Sequence, residues 1–319
     1  MLIRLLCFAF CVLPLLSCNK RIDDFSEGEE EYLHIAPFFE MNNWSKLQGG
    51  AIFGDMLVCL SALDRGFVPN GIIYDMRNGE KICELSFPTI LNGKQYFPPH
   101  ANQVSFGNIY YDSYSEFPLL YVSQVNGGSG YNDIKGERGV LVYNLKRISE
   151  DCFVPELVQA IIPDLKDTVL MNKIGEYTPN YVVDNENNQF VILGYPNDSW
   201  YDVSGYQPVV VIDIPPLSKG EEIVFTSNDV IKDYASFDAV VTQQSFCYDG
   251  KLFTACGFEG QAAIRVVDLV SRRTECTIDL TRITFGEPQF IGLWRGGFYY
   301  YEYNASGQLY YLKIPGYVF

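Results

Sequence analysis

Histidine is almost missing from this chain of 319 residues: it has two, His34 and His100, and no Cys-x-x-Cys pair accompanies them. That removes the ordinary routes to a zinc site built on Cys and His. No H-E-x-x-H or G-x-S-x-G run occurs either, so the chain lacks the local signatures of a metalloprotease or an α/β-hydrolase. Basic residues are scarce, with 23 Lys and Arg against 39 Asp and Glu, a formal charge of -16. A surface this acidic repels phosphate backbones and anionic lipid heads, which argues against nucleic acid as a partner. Beyond residue 16 the apolar residues come in short stretches broken by Gly, Pro, Asn and Asp, none long enough to span a bilayer as a helix. What the chain has in quantity is apolar and aromatic side chain, 48% and 15% of residues, enough to bury a full core in one domain.

The amino terminus has the anatomy of an export signal. Arg4 supplies a positive charge, residues 5–16 are apolar, and the run stops at Leu15-Leu16-Ser17-Cys18. These four residues resemble a bacterial lipobox, with Leu16 where a small residue is usual; the resemblance implies removal of residues 1–17 and lipidation of Cys18. Loss of Arg4 leaves 22 basic against 39 acidic residues, a mature charge near -17, so attachment to a membrane has to come from the lipid. Asn19 follows the cysteine where inner-membrane retention usually takes Asp, which points to the outer membrane, with the cell surface as the further placement. Residues 18–31 include an acidic stretch that repels itself and reads as an extended tether. The stretch is similar to the export signal of Bacteroidetes surface lipoproteins. The remainder, residues 32–319, reads as one domain.

With Cys7 and Cys11 in the signal and Cys18 as the lipid site, six cysteines remain: Cys59, Cys83, Cys152, Cys247, Cys256 and Cys276. Most sit in apolar strand patterns such as Met56-Leu57-Val58-Cys59, where a thiol packs as a small hydrophobe, so buried free thiols are expected, with a bridge or two left open in an exported protein.

The organising pattern is a repeat. Five segments end a strand on an apolar, polar, apolar triplet: Tyr74-Asp75-Met76, Tyr143-Asn144-Leu145, Ile212-Asp213-Ile214, Val267-Asp268-Leu269 and Leu312-Lys313-Ile314. A hairpin of β-branched and aromatic residues precedes each, at 50–62, 102–124, 180–194, 242–257 and 289–303, the clearest with its turn at Tyr248-Asp249-Gly250. After four of the units a further short strand follows, at 81–87, 156–162, 221–226 and 274–280. Four-stranded units of this kind bury both faces only by stacking around an axis, which predicts an all-β propeller. The count gives five blades, with six as the alternative because insertions make the spacing uneven. The last unit lacks a fourth strand, and the segment after the tether, residues 32–38, is the expected donor.

Two stretches add a resemblance. His100-Ala101-Asn102, with Phe106-Gly107 and Phe117-Pro118-Leu119-Leu120-Tyr121-Val122-Ser123 after it, and the first unit from Gln48-Gly49-Gly50 onward, resemble segments of uncharacterised Bacteroidetes β-propeller lipoproteins. The resemblance implies a fold and a cellular place, and no activity.

In a propeller the first strand of each blade lines the axis, so the starts of those strands are where chemistry is expected. They read Gln48, His100 with Asn102 and Gln103, Asn180, Gln243 with Gln244, and Glu287 with Gln289. The set is rich in amides, which donate and accept without titrating and suit a neutral polar ligand such as a glycan or peptide backbone. Only Glu287 is a carboxylate, against the two that glycoside hydrolysis normally uses. Trp200 and Tyr201, in a loop, are the aromatics best placed to stack on a ligand; most others are expected in the core. His100 has no evident catalytic partner and is expected to bond a neighbouring backbone.

The leading expectation is therefore a non-catalytic binding module without cofactor, taking a glycan, a peptide or an envelope protein. The competing one is a metal-dependent hydrolase or lactonase in which Asn102, Asn180 and Glu287 hold Ca²⁺ or another divalent cation, a set similar to that of gluconolactonase-type propellers. A third is a structural scaffold with a plugged channel. Asp184-Asn185-Glu186-Asn187 is expected to be a turn, although it has the look of a calcium loop. Asp167-Thr168-Val169 resembles the short O-glycosylation site of Bacteroidetes exported proteins.

Overall fold

The computed structural model describes residues 33–41, 47–66, 68–124, 138–175, 179–195, 203–258, 260–281, 286–303, 307–314 and 316–317. Cys18, Trp200 and Tyr201 lie outside them. Five sheets of four or five strands stand around a common axis, so the chain is an all-β propeller of five blades, and the six-blade alternative is excluded.

The chain begins with β1 (His34–Glu40) and then builds blade 1 from β2 (Leu47–Phe53), β3 (Met56–Ser61), β4 (Gly71–Asp75) and β5 (Lys81–Leu85). A small ribbon, β6 (Ile90–Leu91) and β7 (Lys94–Gln95), leads to blade 2: β8 (Val104–Tyr110), β9 (Pro118–Ser123), β10 (Val140–Ser149) and β11 (Cys152–Pro163). Helix α1 (Thr168–Ile174) connects to blade 3, made of β12 (Asn180–Asp184), β13 (Gln189–Leu193) and β14 (Val209–Asp213). The chain then makes β15 (Glu221–Phe225) before completing blade 3 with β16 (Val230–Tyr234). Blade 4 is β17 (Thr242–Tyr248), β18 (Lys251–Cys256), β19 (Ala263–Asp268) and β20 (Arg273–Asp279). Blade 5 is β21 (Glu287–Trp294), β22 (Gly297–Tyr303) and β23 (Gln308–Lys313), with β1 as its outermost strand.

Closure follows the expectation. Strand β1 pairs antiparallel with β23 from His34 opposite Lys313 to Glu40 opposite Gln308. The two ends of the chain thus share one sheet, and no blade edge is left for want of a fourth strand.

Middle strands are buried on both faces because each face meets a neighbouring blade, which is why Val209–Asp213 and Pro118–Ser123 read as near-continuous apolar runs. Outer strands alternate, as in β11, where Phe153, Pro155 and Leu157 turn inward between exposed neighbours. Five apolar clusters fill the five blade-to-blade gaps among the described residues. Phe253 and Phe298 meet between blades 4 and 5 with ring centroids 5.2 Å apart, and Tyr121 meets Phe190 edge-on between blades 2 and 3. The hairpin of blade 4 turns through Asp249 and Gly250 at φ of 49° and 66°, the pair of left-handed residues that a two-residue turn between twisted strands requires.

One strand belongs elsewhere than the sequence pattern puts it. Residues 221–226 read as the last strand of blade 3; instead β15 runs parallel to β11 as a fifth strand on blade 2, Gln159 opposite Glu221 through Pro163 opposite Phe225. Phe225 needs burial and finds it beside Tyr181 in the gap between blades 2 and 3. The Tyr96 hydroxyl donates to Glu222 at 2.7 Å, and the Gly220 N–H donates to Val158 O at 2.7 Å. A short turn at Ser227–Asp229, closed by a Thr226–Asp229 capping box, then returns the chain to blade 3.

The six described cysteines are free. Cys59 and Cys256 are buried, and burial pushes the Cys256 thiol up to about 11 and that of Cys59 higher. Cys152 departs from the buried-thiol expectation: it opens β11 next to a hairpin turn and is exposed. Asp184 caps its turn as expected, accepting from the Glu186 and Asn187 N–H groups. No helix among the described residues is long and apolar enough to cross a membrane.

Candidate functional site

The inner strands β2, β8, β12, β17 and β21 follow one another around the axis, and three of them start with a bulge. Register slips leave Gln48 unpaired between Leu47 and Gly49, Gln243 and Gln244 between Thr242 and Ser245, and Gln289 between Pro288 and Phe290. A bulged residue leaves the ladder and is re-aimed, so a recurring backbone irregularity turns a glutamine toward the axis from three blades. Gln103, just ahead of β8, adds a fourth blade, and Asn180, the first residue of β12, the fifth.

These amides divide into two layers. In the deeper one, Gln244 of blade 4 reaches blade 1, where its Oε1 accepts from the Gly50 N–H at 2.8 Å and its Nε2 donates to Gly50 O at 2.5 Å. Gln103 of blade 2 does the same with blade 4: Nε2 donates to Ser245 O at 2.8 Å and Oε1 accepts from the Ser245 N–H at 2.9 Å. Each primary amide copies the donor and acceptor of a strand and pairs with one residue's backbone across the axis. Gln103 and Gln244 are 0% and 2% exposed, and both ends of each amide are paired within the protein, so this layer plugs the channel and presents no buried orphan to a ligand. Space is equally short beside it, since a Cβ on Gly49 would lie 2.4 Å from Ala101 O. Here the expected ligand contacts Gln103 and Gln244 turn out to be internal bracing.

The outer layer is arranged around Gln243. Asn102 of blade 2 donates Nδ2–H to Gln243 Oε1 at 3.0 Å; Gln243 Nε2 donates to Glu287 Oε1 of blade 5 at 2.6 Å; Asn180 of blade 3 donates to Gln243 O at 3.2 Å. Four blades meet there. The carbonyl oxygens of Asn102, Asn180 and Gln289 are buried without a protein hydrogen-bond donor. A buried acceptor left unpaired costs about 1–3 kcal/mol, so these oxygens call for a donor from outside the fold: water, a ligand hydroxyl or ammonium, or a cation. Asn102 and Glu287 are half-buried, which places this layer at the mouth. Gln48 and His100, at the starts of their blades, are buried at 8% and 6% exposure.

The structure therefore brings together Asn102, Asn180, Gln243 and Glu287, the three proposed cation ligands among them. Their oxygens are hard donors of the kind that Ca²⁺ takes, but they provide one negative charge and three protein ligands out of the six to eight usual for that ion. Among the described residues no group of three His, Cys, Asp or Glu side chains gathers. The sequence reading missed Glu302, a carboxylate only 3% exposed that accepts from the Gly286 N–H at 3.1 Å behind Glu287. Its signal was the acidic residue closing the run Tyr299-Tyr300-Tyr301; those tyrosines themselves are core.

No family model matches the chain, and no curated protein matches it. Among solved structures, an oxidoreductase (glucose dehydrogenase) of Thermus thermophilus is similar at 10% identity and a TM-score of 0.47 over 88% of this chain and 100% of its own. A luciferin-regenerating enzyme is similar at 9% identity and 0.48, over 90% of this chain and 97% of its own. The PQQ-bound aldose sugar dehydrogenase of Streptomyces coelicolor is similar at 9% identity and 0.44, over 88% and 98%. At these values the likenesses carry no argument about ligand or activity.

Proposed function

We propose that the chain is an envelope lipoprotein, anchored through Cys18 to the outer membrane, whose propeller is a non-catalytic binding module for a polar ligand at the mouth of the plugged channel. The observation that carries the reading is the pair of buried, donor-less oxygens of Asn102 and Asn180 flanking Gln243 where four blades meet. Hydroxyl and amide donors of a glycan or peptide complement them, with Gln48, His100 and Glu287 nearby.

A second reading rests on the same oxygens. Asn102, Asn180 and Glu287 holding Ca²⁺ would supply a Lewis acid for hydrolysis of an ester or lactone. One screen separates the two: thermal unfolding of the mature chain with glycans, peptides, Ca²⁺ and EDTA, repeated with Asn102→Ala and His100→Ala. A ligand at about a hundred times its dissociation constant adds roughly 2.7 kcal/mol to the folded state. Stabilisation by a glycan or peptide that Asn102→Ala abolishes supports the binding module; a Ca²⁺ shift reversed by EDTA supports the hydrolase; no shift with any of them overturns both.

A further inference from the structure

Hydrogen bonds fix which way the three linked amides of the outer layer point. Gln243 directs its NH₂ group to two acceptors, the carboxylate Oε1 of Glu287 at 2.6 Å and the main-chain Gly257 O at 3.3 Å. Its own Oε1 therefore faces the other way, where it accepts from Asn102 Nδ2 at 3.0 Å. With its nitrogen held there, Asn102 presents its oxygen. Main chain orients Asn180 in the same sense: Nδ2 donates to Gln243 O at 3.2 Å and to Thr242 O at 3.4 Å, and the oxygen is what remains. Asn180 is 0% exposed and Asn102 half-buried, and the carbonyl oxygen of each is buried without a donor. The other orphan on the described inner strands, that of Gln289, is again an oxygen. The layer turns its donors toward the protein and keeps acceptors for whatever binds.

We infer that this acceptor-only layer is a site for a primary ammonium group, which rests on the binding reading above and narrows it from polar ligands in general to those with a free amine. A hydroxyl brings one donor and two lone pairs, so it satisfies one orphan oxygen while setting its own lone pairs among the others. An ammonium brings three N–H donors and no acceptor, the complement of a set that has oxygens and no spare donor. Its hydrogen bonds are charge-assisted, roughly twice as strong as those between neutral groups. Glu287, bonded to the central Gln243, places one formal negative charge in the layer, matching a monovalent cation. Ca²⁺ wants six to eight oxygens and is poorly served by this set, whereas an ammonium is served by three. The formal charge of -16 on the whole chain draws cations toward it. A peptide amino terminus, a lysine side chain and an amino sugar share the head group.

The test is thermal unfolding of the full chain, purified in detergent at neutral pH, with paired probes: triglycine against N-acetyltriglycine, glucosamine against N-acetylglucosamine, and propylammonium against tetramethylammonium, with CaCl₂ alongside. The free amine of each pair is expected to raise the midpoint and its partner to leave it unchanged; the stronger of triglycine and glucosamine identifies the source of the amine. Asn102→Ala removes one acceptor, and Glu287→Gln removes the charge while Gly257 O still orients Gln243. Each should weaken the dissociation constant of the amine about tenfold, as loss of one charge-assisted hydrogen bond does. Equal shifts with the N-acetylated probes, abolished by Asn102→Ala, would overturn the ammonium assignment and leave the outer layer as a binding site for neutral ligands. A tetramethylammonium shift as large as that of propylammonium would overturn it too, since charge without N–H donors would then suffice. So would a Ca²⁺ shift without an amine shift, or amine shifts that both variants retain. Silence across these probes overturns the ammonium assignment alone; the binding reading falls only with the wider glycan and peptide screen.

Discussion

The two amide layers on the axis are built from the same residue types and differ in how their hydrogen bonds are satisfied. Gln103 and Gln244 pair both ends of their amides with backbone and close the channel. Asn102 and Asn180, one layer nearer the mouth, direct their NH₂ groups to Gln243 and leave their carbonyl oxygens without a donor. The contrast teaches that amide content marks the axis of a propeller, whereas unsatisfied hydrogen-bonding capacity marks the place for a ligand. Cutting the bracing should lower stability; cutting the recognition layer should weaken binding.

The comparison is sharpened first by an apolar reference. Phe253→Ala, in the gap between blades 4 and 5 and fully buried, is expected to cost about 4 kcal/mol in a urea titration, as aromatic truncations in packed cores do. Next comes the plug. Gln244→Leu strips the partners from the Gly50 N–H and C=O and should cost roughly 3 kcal/mol. A cost no larger than that of a surface substitution would break the claim that this layer is bracing. At the mouth, Asn102→Ala removes an orphan acceptor together with one hydrogen bond, and its net cost should stay within about 1 kcal/mol. A loss as large as that of Gln244→Leu would mean the two layers are one.

The smallest effect is electrostatic and lies away from both layers. Asp167 caps helix α1, and the Ser227 hydroxyl and N–H, followed by the Leu170 and Val169 N–H groups, lower its carboxyl from 3.8 to about 2. Its folded value is depressed, so the stability it lends is complete above the ordinary carboxylate value and fades as the pH falls through about 2. Asp167→Asn keeps a capping oxygen and should close its gap to the unaltered chain as urea midpoints are followed from neutral pH into that acid range. A gap independent of pH would show that the charge contributes nothing. Thr168, in the motif that resembles an O-glycosylation site, is exposed beside this cap.

Much of the fold was legible because triplets such as Val267-Asp268-Leu269 mark the end of the third strand in four blades, although in blade 2 β10 runs past Leu145 to Ser149, and because a chain ending on three strands needs a fourth from elsewhere, which β1 provides. The destination of residues 221–226 was not legible. Their pattern is that of a strand, but which blade takes it depends on where Phe225 finds a cavity and on Tyr96, more than a hundred positions away, meeting Glu222. The candidate site was legible as composition and not as arrangement. Glutamines stand out at the strand starts, yet whether each bonds to backbone depends on bulge geometry that residue types do not encode. Glu302 escaped for a related reason: nothing in a run of tyrosines announces that its last neighbour folds back to hold the Gly286 N–H.

The most direct measurement takes any glycan or peptide that stabilises the unaltered chain and compares its thermal shift in Asn102→Ala and in Gln244→Leu. The account predicts that Asn102→Ala folds almost normally and loses the shift, while Gln244→Leu starts from a lower midpoint and keeps it. A shift that survives Asn102→Ala and disappears in Gln244→Leu would contradict the assignment of the outer amide layer as the binding site.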